Sequence, residues 1–163
     1  MRHQVADEHP NAALIERLYA ALDAMDGETM AALYAPDATF EDPAFGELHG
    51  QEATDMWRML CDQATDLSVT ALEIEADDST GSANWVARYT FTQTGRPVEN
   101  RIHAEFRFRD GLIADHRDSF SMWRWAPQAL GPAGYLLGSN PLGRALMQRR
   151  ARATLDKWRA SAP

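Results

Sequence analysis

The sequence predicts an α+β fold in which helices pack on one face of an antiparallel sheet. Apolar residues recur at helical spacing before about residue 66 and at period two after it. Short polar turns, DDSTGS, TGRP and Asp110-Gly111, separate four alternating runs. Helices come first and strands afterwards, which favours segregated layers over an alternating parallel α/β order.

Residues 1–9 read as a loose polar arm. From Asn11 to Met25, Leu14, Leu18, Ala21, Leu22 and Met25 form one helical stripe, widened by Ile15 and Tyr19. Asp26-Gly27 breaks it. A short second helix is expected through Thr29 to Tyr34, a turn at Ala35-Pro36-Asp37, and a short strand from Ala38 to Asp42. A loop over Pro43 to Gly50 leads to a third helix to Ala64, with Met56, Trp57, Leu60 and Cys61 on its apolar side.

The long strands are expected at Leu67–Ala76, Ala83–Gln93, Val98–Arg109 and Leu112–Trp125. Asp110-Gly111 is a tight hairpin signal. Alternation puts Trp85, Ala87, Tyr89 and Phe91 on one face of the second strand. Ile102, Ala104, Phe106 and Phe108 share a face of the third. The last strand then directs Leu112, Ala114, His116, Asp118, Phe120 and Met122 to the same apolar side. On the opposite side Asp115, Arg117 and Ser119 face Arg101, His103 and Glu105 as a charge ladder, with Trp123 exposed at its end. His103 is expected at the surface. Residues 126–163 are expected to add a helical extension, as lid or dimer element. In it Asn140 caps a helix begun by Pro141, and Arg144, Arg149, Arg150 and Arg152 form a solvated face.

Composition narrows the function. At 45% hydrophobic residues the chain is globular, and its formal net charge of −8 disfavours nucleic acid and anionic membranes as partners. The single Cys61 excludes an intrachain disulfide and is expected as a buried, inert thiol. No apolar run approaches a membrane span, and the polar start carries no signal-peptide pattern, so a cytoplasmic location is expected.

The order of elements, the segment LYAPDATFEDP with the later His49-Gly50, and FRFRDGLIADHRD resemble the nuclear transport factor 2-like, or cystatin-like, superfamily. Within it the resemblance is to SnoaL-like and ketosteroid isomerase-like domains, over roughly residues 11–125. It implies a cone: a curved antiparallel sheet on three N-terminal helices. Residues 1–125 form that domain and residues 126–163 the extension. Asp42, in ATFEDP, matches the isomerases' catalytic base. The isomerases' oxyanion donors, a Tyr and a protonated Asp, fall here on Leu18, with Tyr19 one position away, and on Ala104. Asp118 falls near the acid/base Asp of SnoaL-like cyclases, with His116 beside it.

Asp42, His116 and Asp118 are thus the candidate catalytic residues, converging on an apolar cavity. Tyr19, Phe40, Trp57, Trp85, Tyr89, Phe91, Ala104, Phe106, Phe120 and Met122 are the candidate lining. Such a site suits a cofactor-free isomerase or cyclase acting on a hydrophobic carbonyl compound, with His116 donating to the developing oxyanion. No metal is expected. A non-catalytic ligand-binding or accessory protein is the alternative. An epoxide hydrolase is a further one, although Arg88, Arg101, Arg107 and Arg117 fall on the outer face. A homodimer through that outer face is the expected assembly.

Overall fold

A computed structural model describes residues 8–162, so most of the expected N-terminal arm lies outside the described residues. Helix α1 (Pro10–Asp23) begins where the His9 ring accepts the Asn11 amide. Asp26 caps α2 (Gly27–Ala32) by accepting from Thr29. These helices and α3 (Gln51–Gln63) pack on one face of a curved six-stranded sheet. The strands are β1 (Tyr34–Asp42), β2 (Gly46–His49), β3 (Ser68–Ala76), β4 (Thr80–Phe91), β5 (Arg96–Arg109) and β6 (Leu112–Ser119). Their order in the sheet is β2-β1-β6-β5-β4-β3.

The four-strand antiparallel meander β3–β6 matches the expectation. Asp110 and Gly111 both take positive φ at its last hairpin, as a two-residue turn of this hand requires. Three features differ from the sequence reading. The expected loop after Asp42 is a hairpin that pairs β2 with β1. β1 runs parallel to β6, so the sheet is mixed. The Ala35-Pro36-Asp37 turn survives only as an irregularity inside β1, whose pairing jumps from Tyr34 to Thr39. Tyr34, expected at a helix end, is therefore a strand residue.

Most of the expected core is buried, with Met30 and Ile113 added to it, while Met25 of the expected α1 stripe is exposed. Leu14, Ile15, Leu18, Met30, Met56, Phe40 and Ile113 are all buried between helices and sheet. Each contributes about 1.5–3 kcal/mol by leaving water. Cys61 is buried as expected, its Sγ against Met30 Sδ at 3.7 Å, and burial pushes the thiol up to about 11.

Two corrections apply to the last strand. Arg107 pairs with Asp115 but Phe108 pairs with Ile113, so β6 carries one extra residue, Ala114, as a bulge. Face parity reverses there. Ile113 enters the core with His116, while Leu112 and Ala114 leave the expected row. The strand then stops at Ser119. Ser121 caps a helix, α4 (Met122–Leu130), by accepting the Arg124 amide. Met122 is buried on that helix instead of lining the sheet, Phe120 lies between the two elements, and Trp123 is exposed on α4.

The helical extension therefore starts earlier than expected and continues through α5 (Ala133–Ser139) and α6 (Pro141–Ser161). Asn140 caps α6 with Pro141 at its first position, as read from the sequence. The arginines do not form a single solvated face. Arg144 donates to the Gly138 carbonyl, and Arg152 donates to the Phe45 and Glu47 carbonyls of the β1–β2 hairpin. Leu155 inserts into the core.

Candidate active site

Pairing between strands brings the inner polar groups together. Phe106 lies opposite His116, and Ala104 opposite Asp118. On the other side of β6, Phe40 of β1 pairs with His116. Alanine at 104 leaves room over β5, and the indole of Trp85 from β4 reaches across to Asp118, with Nε1 3.5 Å from Oδ1. His116 is fully buried among rings. Phe106 lies at 4.3 Å between centroids, Phe40 edge-on at 5.0 Å, and Trp57 from α3 stacked at 5.9 Å.

Both nitrogens of this imidazole are engaged. Nε2 lies 2.8 Å from Asp118 Oδ1, and Nδ1 lies 2.8 Å from the Tyr34 hydroxyl. In the neutral ring, Nε2–H donates to the carboxylate and Nδ1 accepts from Tyr34. Asp118 Oδ1 thus takes the histidine and the Trp85 indole, while Oδ2 has no hydrogen bond among the described residues. An isolated buried carboxylate is costly, and this chain of donors offsets that cost.

Two buried donors lack a partner of proper geometry among the described residues: the Tyr19 hydroxyl and Trp57 Nε1. The Trp57 indole lies close enough to the Tyr34 oxygen to favour its ionised form, but falls short of hydrogen-bond geometry. Tyr19, on α1, packs its ring 5.3 Å from Trp85 and 6.4 Å from Phe106. Burial, and then the charge of Asp118, raise the titration of Tyr19 and Tyr34 well above the usual phenol range. Both stay protonated and able to donate.

Asp42 ends β1. Its Oδ1 accepts the amides of Ala44 at 2.9 Å and Phe45 at 2.6 Å. Burial pushes its carboxyl up to about 7 against the lowering effect of those amides, and the charge of Asp118 adds to the rise. The two carboxyls therefore share one electrostatic neighbourhood. Asp42 in turn raises Tyr89, after burial, while the Trp125 indole donates to that hydroxyl at 2.8 Å and opposes the rise. Phe91 meets Trp125 edge-on at 5.6 Å. Asp42, Tyr89, Phe91 and Trp125 are a linked, partly exposed group beside the dry His116–Asp118 pair.

The structure thus brings together Tyr19, Phe40, Trp57, Trp85, Ala104, Phe106, His116 and Asp118, with Asp42, Tyr89 and Phe91 at the more open side. Phe120 is half-buried beyond the strand end, and Met122 sits on another element. The sequence reading missed Tyr34 and Trp125. Tyr34 lay where helix and turn signals meet, and Trp125 hung on the wrong element. An N-cap signal at Ser121 was available for the second. The outer-face assignments hold: His103 is exposed and bonded to Asn84, and Arg88, Arg101, Arg107 and Arg117 are exposed. No cluster of metal-ligating side chains occurs among the described residues.

Several solved structures share this fold. A protein with a ketosteroid isomerase-like fold from Catenulispora acidiphila, in complex with trimethylamine, is 19% identical with a TM-score of 0.65, over 74% of this chain and 94% of that one. An LEH-like epoxide hydrolase of M. tuberculosis is 20% identical with a TM-score of 0.61, over 80% of this chain and 92% of that one. IdmH from Streptomyces antibioticus, described as a candidate polyketide cyclase, is 25% identical with a TM-score of 0.62, over 74% of this chain and 98% of that one. None of the curated proteins matches this chain in sequence. Residues 15–116 match the SnoaL-like domain, and this chain belongs to that family.

Proposed function

We propose that the protein is a cofactor-free acid–base enzyme of the isomerase or cyclase type, acting on a small hydrophobic carbonyl compound. One observation carries this reading. The buried Tyr34–His116–Asp118 chain lies within electrostatic reach of an Asp42 carboxyl that titrates near neutrality. A carboxyl poised near 7 can take and return a proton at working pH. Asp42 and Asp118 each offer an Oδ2 without a hydrogen bond among the described residues. One of them removes the proton next to the carbonyl, and the electrons move to the carbonyl oxygen.

Sequence alone suggested His116 as the donor to that oxygen. With both ring nitrogens committed, we assign His116 the role of orienting Asp118. The Tyr19 hydroxyl, buried and unpartnered among the described residues, becomes the oxyanion donor. The proton then returns to a different carbon in an isomerisation, or the enolate carbon attacks a second carbonyl in a cyclisation.

The test is a screen of enolisable hydrophobic ketones and epoxides. On the substrate found, Asp42→Asn and Asp118→Asn each lower turnover by about 10²–10⁴. Tyr19→Phe lowers it by about 10²–10³. Full activity in all three variants rules the mechanism out. The alternative is a non-catalytic binding or accessory protein, which the closed packing around His116 favours. It predicts ligand affinity that survives Asp42→Asn, with no turnover by either form. An epoxide hydrolase would need an arginine between the carboxyls, and the exposure of Arg88, Arg101, Arg107 and Arg117 weighs against it. We also propose a homodimer through the outer sheet face, where Glu105 pairs across strands with Arg117. Light scattering that finds only monomer at high concentration excludes it.

A further inference from the structure

We infer that α6, which lies wholly outside the family domain, holds the Asp42 carboxyl in place through Gln148 and Arg152 as positioning residues. Gln148 Nε2 donates to the Pro43 carbonyl at 3.1 Å. That carbonyl belongs to the same peptide unit as the Ala44 amide, which donates to Asp42 Oδ1 at 2.9 Å. Gln148, the 43–44 peptide and Asp42 therefore form one continuous line of hydrogen bonds, each polarising the next. Arg152 closes the turn from its other end. Its Nε donates to the Phe45 carbonyl at 2.8 Å, and its guanidinium also donates to the Glu47 carbonyl. The Phe45 amide is the second donor to Asp42 Oδ1.

The clamp has an anchor. Leu155 is buried in the core, Trp158 Nε1 donates to Asp62 at 3.1 Å, and Arg159 donates to Asp55 at 3.0 Å, both on α3. Gly46 marks how closely the helix lies on the turn. It takes φ +72°, and a Cβ there would stand 3.4 Å from Gln148 Oε1 and 3.5 Å from Arg152 Nη2. A side chain at 46 would be strained by that φ, and its Cβ would rest on both clamp residues at ordinary van der Waals distance.

The titratable and charged groups about Asp42 are Asp118 from β6, Glu41 beside it on β1, Tyr89 from β4 and Arg152 from α6. Burial raises the Asp42 carboxyl while the Ala44 and Phe45 amides hold it down, so losing the clamp slackens those donors, removes the neighbouring Arg152 cation and raises the titration further.

The proposal matters for turnover only if Asp42 works as inferred above, but the clamp can be read without any substrate. The Asp42 carboxyl is titrated by carbon-detected NMR in the full chain, with the Asp42→Asn spectrum to assign it. The wild type titrates near 7. Gln148→Ala/Arg152→Ala titrates higher than the wild type, because the amide donors are slackened and the Arg152 charge is gone. Arg152→Lys, which keeps one donor, falls between. Arg150→Ala, whose side chain points away on the exposed side of α6, leaves Asp42 unchanged. A folded double variant with an unmoved or lowered Asp42 titration overturns the inference. If the double variant does not fold, Gln148→Ala alone decides, since it removes one neutral hydrogen bond: a raised Asp42 supports the clamp, and an unmoved or lowered one overturns it.

Discussion

β6 carries two pairs of oppositely chargeable groups at the same spacing, one on each face. On the inner face, His116 and Asp118 meet at 2.8 Å with side chains 0% and 3% exposed. On the outer face, Arg117 and Asp115 meet at 3.3 Å with side chains 63% and 22% exposed. Sequence gives both pairs equal standing, because each is an acid and a base two residues apart. Their surroundings separate them. The outer pair trades water for a weak contact and is worth about 0–1 kcal/mol. The inner pair has no water to fall back on, so every polar atom in it depends on a protein partner.

Removing one member of each pair gives the largest contrast. His116→Ala leaves Asp118 without its main donor, leaves the Tyr34 hydroxyl unpaired and opens a hole among Phe40, Trp57 and Phe106. Urea unfolding is expected to show a loss of about 3–5 kcal/mol. Arg117→Ala, one residue along, is expected to lose no more than about 1 kcal/mol. Equal losses would mean that burial does not distinguish the two faces.

A second contrast is in pH. Asp42 titrates near 7 in the folded chain and near 4 when unfolded. The folded state therefore holds the proton more tightly. This contribution is fully present below about pH 4, is lost as pH rises through about 7, and is flat above. Urea midpoints at pH 5 and pH 8 should show wild type losing stability relative to Asp42→Asn by on the order of 1 kcal/mol per pH unit across that window. A wild-type curve parallel to that of Asp42→Asn would place Asp42 in water.

The sheet was legible because its signals are local. The Asp110-Gly111 turn, the change of period near residue 66 and the Asn140-Pro141 helix start each depend on a few adjacent residues. The inner and outer faces of β4 and β5 followed from alternation alone. Apart from the short β1–β2 hairpin, most of what escaped depends on distant pairing. Nothing near Tyr34 reveals that it will lie parallel to β6 and bond to His116, 82 positions later. The clamp of Gln148 and Arg152 on the Asp42 turn spans more than a hundred residues, and to local reading its arginine is one more charge on a helix. Met122 to Trp125 was ambiguous for another reason: a short apolar run suits a strand or a helix, and only the Ser121 cap separates them.

The extra residue at Ala114 turns β6 into a message whose reading frame shifts partway along. Residues before it and residues after it obey opposite rules for which side they occupy. Were Ala114 paired in a regular ladder from the same hairpin turn, Asp115 would lie opposite Phe106 and His116 opposite Glu105, with the arginine within and the histidine in water. Matching such strings letter by letter would credit an unbulged relative with a site it does not have, so the place where the ladder slips is as informative as the letters.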